Sequence, residues 1–499
     1  MKKYILSIDQ GTSSSRAFIY DERFQVVGMA QHAFPQHFPK PDWVEHELSE
    51  IWRSVENAVR DALKSVSRPE FHPSQVAAIG ITNQRETFGI WNRKTGEAAH
   101  RAIVWQCRRT ADLCEKLRKN PKARGVARTA GLVLDPYFSG TKLKWLLDSD
   151  KSFRERGKKG ELVFGTMDTF LVSKLSAGVA HVTDTTNASR TLLMDLKKLK
   201  WNPEALKLFG VPSLMLPEIK DSNGDFGVTK GLEFLPDGIP IRGVLGDQQA
   251  ALLGQACLSP GETKVTYGTG AFLVMNTGPS IKRSRKGLST VAWTLGGKTS
   301  YALEGSVFIA GAAVQWLRDE LGIVEKSSDI ESLAAKVVDS DGVFFIPALS
   351  GLGSPYWAPH AKGLIGGLTR RSNVSHIARA GLEGIAASIA DVAEGLGADA
   401  KIRLKKISVD GGASANNILM QLQADLLRAQ ILRPADVETT VRGAAFAAAL
   451  GIGLMKSTSE IKAHIKQDRV FSPRWKPAES AAFMKTWRRR IKALLAGAY

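Results

Sequence analysis

Asp9-Gln10-Gly11-Thr12-Ser13-Ser14-Ser15-Arg16 follows the apolar run Tyr4-Ile5-Leu6-Ser7-Ile8 and leads into Ala17-Phe18-Ile19-Tyr20. The flanking runs read as buried strands, so the octet is a tight connection that begins on a carboxylate and turns through glycine and hydroxyls. Such a turn offers backbone N–H groups and hydroxyls to phosphate oxygens, and Asp9 can hold the hydrated Mg²⁺ that accompanies a nucleotide. About half the chain later the pattern returns as Lys264-Val265-Thr266-Tyr267-Gly268-Thr269-Gly270-Ala271-Phe272-Leu273-Val274-Met275. A strand–Gly-Thr–strand turn in each half suggests a nucleotide held between two related domains, and a kinase.

The rest of the chain agrees with that plan. At 499 residues it exceeds what one core usually serves. The expected division is 1–253 and 254–499, placed after Asp247-Gln248-Gln249-Ala250-Ala251-Leu252. Composition is that of an ordinary globular protein, 43% hydrophobic and 23% charged. No signal peptide is expected from Lys2-Lys3 and the short run behind it, and no stretch reaches the roughly 18 apolar residues of a membrane span. Cys107, Cys114 and Cys257 lack Cys-x-x-Cys spacing and read as reduced thiols, which points to the cytoplasm. Asn187-Ala188-Ser189 fits a glycosylation pattern that means nothing there. The net charge of +19 reads as a solvated basic surface able to concentrate anionic nucleotide; beside the basic run Trp487 to Lys492 no nucleic-acid module is recognisable.

Strands are expected at Gln25–Met29, Val76–Thr82, Phe88–Trp91 and Ile407–Asp410. Ile51, Trp52, Val55, Ala58, Val59, Ala62, Leu63 and Val66 mark one face of an amphipathic helix. A long helix is expected from about Val374 to Leu396, and the small-residue segment Gly443 to Leu454 suits a buried one.

Several apparent motifs fail. Gly296-Gly297-Lys298-Thr299 ends like a Walker A loop, but Ala292 stands where its first glycine belongs. Gly412-Ala413-Ser414-Ala415-Asn416 lacks the closing glycine of a serine-hydrolase elbow, and the nine histidines form no metal-binding array. What remains are polar clusters at strand ends. Arg85 and Glu86 can supply a donor and an acceptor to neighbouring hydroxyls, or form a surface ion pair. Trp105 precedes a cationic pair, or is a core tryptophan. Asp247 can accept a proton from an attacking alcohol, or cap a helix.

In order along the chain, Asp9–Arg16, Asn83–Thr87, Val104–Thr110, Gly246–Leu252, Tyr267–Gly278, Gly311–Asp319 and Asp410–Asn417 resemble the FGGY carbohydrate kinases. So do Tyr137-x-Ser139-x-x-Lys142-Leu143-x-Trp145 and Gly363 to Asp391. The resemblance implies an α/β fold of two ribonuclease-H-like domains of the actin and hexokinase type around a central nucleotide cleft. It implies transfer of the ATP γ-phosphoryl to a terminal hydroxyl of glycerol, with Asp247 as general base and Mg²⁺ near Asp9. Arg85, Glu86, Tyr137, Asp247 and Gln248 would hold the glycerol hydroxyls, with Trp105 and Phe272 on its carbons. Thr12, Ser13, Ser14, Arg16 and Thr269 would hold the phosphates; Gly311, Gln315, Gly412 and Asn416 would line the rest of the nucleotide site. A homodimer or homotetramer is implied, without nucleic acid or stable membrane insertion. The alternatives are a kinase for another polyol or ketose, such as erythritol or xylulose, and an actin- or chaperone-like ATPase.

Departures from the resemblance fall mainly in regulatory regions. Gly231 to Gly238 lacks the loop that binds fructose 1,6-bisphosphate in some relatives, so inhibition by that compound is not expected. No histidine lies between His181 and His360, so activation by histidine phosphorylation is not expected either. Arg442 stands where relatives carry an apolar residue, and nothing in the sequence accounts for it.

Overall fold

The strand Tyr4–Gln10 is buried along its whole length and forms the middle of a five-stranded sheet. In this computed structural model, which describes residues 3–358, 360–404 and 406–498, it pairs antiparallel with Ser14–Tyr20 and parallel with Val76–Asn83. Val26–Ala33 completes the meander on one side; Ile241–Gly246 runs parallel to Val76–Asn83 on the other. The register brings Gln10, Asn83 and Gly246 level, so three parallel strands end side by side. Just past them stand Thr12 and Arg85–Glu86 in loops and Asp247 at the start of a helix, at the carboxyl ends where open α/β sheets place their ligands.

The same strand order recurs in the second half. There Thr263–Tyr267 pairs antiparallel with Ala271–Gly278 and parallel with Lys406–Asp410, which runs parallel to Gln430–Pro434. The echo seen between Asp9–Arg16 and Tyr267–Gly270 is therefore a repeated topology.

The chain divides into two units. One comprises 1–256, 289–301 and 439–464; the other comprises 257–288, 302–438 and 465–499. The first break falls close to the expected division after residue 253, but two later segments return to the first unit. The return of 439–464 follows from close packing. The helix Thr439–Gly451 lies against the five-stranded sheet, where a Cβ on Gly80 would stand 2.3 Å from the Ala444 carbonyl oxygen and one on Gly243 2.5 Å from the Ala448 nitrogen. It also crosses the helix Asp247–Gly254 at a mutual glycine contact: a Cβ on Gly443 would lie 1.9 Å from the Ala250 carbonyl oxygen, and one on Gly254 equally near that of Thr439. Only glycine permits backbones that close. Gly443→Ala would gain about 1 kcal/mol of helix propensity and lose more to overpacking, about 1–3 kcal/mol or above. A lower midpoint in urea denaturation is the expected result; an unchanged or higher midpoint would contradict the packing described.

Arg442, on the same helix, is buried, and burial pulls its pKa below the ordinary guanidinium value. The neighbouring Tyr20, also buried, opposes that shift, which gives this departure from the resemblance a structural place.

The opposite face of the sheet is covered by the helix Leu48–Lys64, whose buried residues include Ile51, Val55, Ala58, Val59, Ala62 and Leu63. In the second unit the long helix runs Val374–Ala400, with the Asn373 side chain capping the Ser375 and His376 amides. On the C-terminal helix Pro477–Leu495, Arg488 Nε is 2.7 Å from Asp391 Oδ1 and Arg490 lies 4.0 Å over the Phe344 ring, whereas Arg489 and Lys492 are exposed. No helix among the described residues is long and apolar enough to cross a membrane.

Candidate active site

In the first unit Asp247 is the first residue of its helix, with Gly246 as the cap residue, so its side chain is not the N-cap. Its Oδ1 accepts from the Gln248 amide at 2.6 Å and from Arg85 Nε at 3.0 Å. The Arg85 side chain is 2% exposed and that of Asp247 33% exposed, so the arginine is structural bedrock and the carboxylate remains reachable. The Arg85 guanidinium also donates to the Tyr137 hydroxyl at 3.4 Å and to Gln249 Oε1 at 3.3 Å.

Glu86 sits in a strained turn. Its φ is +61°, and the Thr87 amide donates across it to the Arg85 carbonyl at 2.7 Å. A non-glycine residue in that region costs about 1–3 kcal/mol and persists only where its surroundings over-determine it. They do so here. Arg190 Nε donates to Glu86 Oε1 at 2.6 Å with both side chains buried, and the Ser139 hydroxyl donates to the Glu86 carbonyl at 2.8 Å. Nothing local in the sequence marks Arg190, which lies about a hundred residues from its partner and carries no motif.

The aromatic side of the site is similarly fixed. Trp105 and Tyr137 meet edge to face with centroids 5.7 Å apart, and the Trp105 indole N–H donates to Thr12 Oγ1 at 3.0 Å. Thr12 thus ties the first Gly-Thr turn to the tryptophan. Lys142, fully buried, donates to the Val104 and Tyr137 carbonyls, both at 3.1 Å, and holds the two aromatic loops together. Burial pulls its ammonium down to about 8.

Asp168, a buried carboxylate of the first unit, accepts from the Thr166 and Thr183 hydroxyls. Burial, and next the neighbouring Asp184, push it up to about 7. Between about pH 4 and 7 the folded chain retains a proton that the unfolded chain has lost, so this group's contribution is present at low pH and is lost as pH rises. Asp168→Asn has no such proton, so its Tm relative to the parent should rise between pH 4 and pH 8. A constant difference across that range would contradict the assignment.

Around the first turn, the Gly11 amide donates to the Ser14 carbonyl at 2.9 Å, Ser13 is exposed and Gln31 donates to the Ser14 hydroxyl. Arg16 pairs with Asp9, its cross-strand neighbour, at 2.5 Å. No cluster of three or more metal-binding side chains occurs among the described residues. A single strand-end carboxylate nevertheless fits Mg²⁺, which keeps its waters and takes one or two carboxylates beside substrate phosphates.

The remaining candidates lie in the second unit. Thr269 is exposed on its turn, and its carbonyl accepts from the Ala310 and Ala312 amides at 2.8 and 3.0 Å, joining the turn to the start of the helix Gly311–Asp319. Gln315 is exposed on that helix. Gly412 is also exposed, and a Cβ there would meet nothing within 4 Å. Asn416 caps the helix Asn417–Leu427 through the Leu419 amide, and Phe272 stands opposite Thr266 in the strand pair.

Residues 4–254 match the N-terminal domain, and residues 263–452 the C-terminal domain, of the FGGY family of carbohydrate kinases. The chain belongs to this family. Among FGGY relatives, glycerol kinase from Myxococcus xanthus is 52% identical over 493 residues, spanning 98% of this chain and 99% of its own. Glycerol kinase from Bdellovibrio bacteriovorus is 50% identical, with 99% of each chain covered. The crystal structure of Plasmodium falciparum glycerol kinase with ADP superposes with a TM-score of 0.93 at 34% identity, covering 99% of this chain and 98% of that one. A ligand-bound xylulose kinase from Lactobacillus acidophilus reaches 0.88 at 23% identity, covering 100% and 99%, and shares the fold. Two α/β units of repeated topology, as expected from the twin turns, are therefore the FGGY fold.

Proposed function

We propose that this chain transfers the γ-phosphoryl group of ATP to a terminal hydroxyl of glycerol, giving sn-glycerol 3-phosphate. The observation that carries the reading is the carboxylate of Asp247, oriented by Arg85 at the end of a parallel strand and still accessible. A plain ATPase has no need of such an acceptor site. The identity of the acceptor is supported by the full-length similarity to glycerol kinases.

In this mechanism Asp247 takes the proton from the attacking hydroxyl. Arg85, Glu86, Tyr137 and Gln248 hold the hydroxyls, while Trp105 and Phe272 pack on the carbons. Thr12, Ser13, Ser14, Arg16 and Thr269 position the phosphate chain, and Gly311, Gln315, Gly412 and Asn416 receive the nucleoside. Positioning and electrostatics supply most of the acceleration in such transfers. Asp9 would hold Mg²⁺ through its waters, and the ion would neutralise phosphate charge. The enzyme is proposed to be cytoplasmic and a homodimer or homotetramer.

A stereospecific assay tests the product. Incubated with Mg-ATP and glycerol, the enzyme should yield a compound oxidised by an sn-glycerol-3-phosphate dehydrogenase. Phosphorylation of xylulose or erythritol without glycerol would move the substrate and keep the mechanism.

A further inference from the structure

Arg190 and Asn187 belong to one short turn, and its contacts form a pattern. The helix Thr185–Ala188 is capped by Asp184, a buried carboxylate. Asp184 accepts from the Thr186 amide (2.9 Å) and hydroxyl (2.8 Å), the Asn187 amide (2.9 Å) and side chain (3.0 Å), and the Ser222 hydroxyl (2.8 Å). A carboxylate with that many donors is locked in place, and so is the turn it caps.

From this turn three contacts reach the acceptor site. The Thr186 hydroxyl oxygen accepts from the Gly246 amide at 2.8 Å, one residue before Asp247. The Asn187 and Asn83 side chains exchange two hydrogen bonds, of 3.1 and 3.0 Å, at the strand end before Arg85 and Glu86. Arg190 pairs with Glu86 itself and lies 5.5 Å over the Tyr137 ring. One rigid turn thus touches both strand ends that present the proposed base and the proposed hydroxyl ligands.

We infer that the segment Asp184–Arg190 is the positioning device of the acceptor site, with two separable arms. Thr186 sets the Asp247 carboxylate, and Arg190 sets Glu86. Neither touches the reacting atoms, so each acts through the residue it holds. The inference rests on the roles proposed above for Asp247 and Glu86.

Separable arms give separable kinetics. Thr186→Val keeps the shape and removes the acceptor for the Gly246 amide. It should lower kcat about tenfold or more with little change in the KM for glycerol, since a displaced catalytic group costs rate. Thr186→Ser restores the oxygen and should restore kcat. Arg190→Gln should instead raise the glycerol KM about tenfold, with a smaller change in kcat, because ground-state binding is weakened. Arg190→Lys, which keeps the charge and folds more readily, should fall between parent and Arg190→Gln.

The measurement is steady-state kinetics on the four variants and the parent, with glycerol varied at saturating Mg-ATP and Tm recorded alongside. Opposite splits, with Thr186→Ser rescuing, support the inference. A fall in kcat together with a rise in KM in every variant, tracking a fall in Tm, or no change in either, would overturn it and leave the turn a structural element. Absence of polyol-dependent turnover in the parent would instead overturn the proposed function, and this inference with it.

Discussion

Exchanging Asp247 for asparagine should cut kcat about a thousandfold, within the range a positioned general base supplies, while glycerol still binds. Asparagine keeps the size of the side chain and an oxygen for Arg85 Nε and the Gln248 amide, the partners that orient Asp247 Oδ1. What it loses is the basicity needed to take the hydroxyl proton. Glycerol affinity, read by calorimetry, should therefore stay within a few-fold of the parent, while Tm should fall, since the buried Arg85 guanidinium loses its charged partner. Near-normal turnover would remove Asp247 from the mechanism.

Arg85→Gln should have the next largest effect. Its guanidinium orients Asp247, meets the Tyr137 hydroxyl and reaches Gln249, so one substitution disturbs the base, the aromatic wall and the hydroxyl ligands together. A drop in kcat/KM for glycerol of about a thousandfold, near 4 kcal/mol of transition-state stabilisation, is expected. Lysine should not rescue it, because an ammonium cannot present several donors in a planar fork. KM for ATP should change much less than KM for glycerol. A loss confined to ATP would place Arg85 at the phosphates instead.

Much of this site was visible in the chain because it is built from strand ends. A buried run that stops at Gly-Thr, Arg-Glu or Asp-Gln shows itself by the change from apolar to polar residues, and Asp9, Thr12, Arg85, Glu86 and Asp247 all stand at such changes. The twin Gly-Thr turns also revealed the repeat. What holds those ends in place was not visible. Arg190 meets Glu86, and Asn187 meets Asn83, across about a hundred residues, and such pairing leaves no local pattern. Asn187-Ala188-Ser189 even fitted a glycosylation pattern, whereas Asn187 is buried in the turn that contacts Gly246 and Asn83. Ser139 and Lys142 lay in a recognised stretch, yet their work, on the Glu86 carbonyl and between the Val104 and Tyr137 loops, depends on three-dimensional contacts.

The division of the chain shows the same limit. The small residues from Gly443 onward did announce a buried helix, but not which unit would bury it. Backbone contacts at Gly80, Gly243 and Gly254 assign it to the first unit, far from its place in the sequence. Glu86's left-handed backbone was equally hidden, since glutamate ordinarily avoids it.

ADP release by the unmodified enzyme, followed with Mg-ATP in the presence and absence of glycerol and with xylulose and erythritol in parallel, addresses the central claim most directly. Strong stimulation by glycerol, with little ATP turnover in its absence, is the result predicted. ATP hydrolysis that proceeds equally with and without every polyol would contradict it, and would leave the Asp247–Arg85 pair without an acceptor to serve.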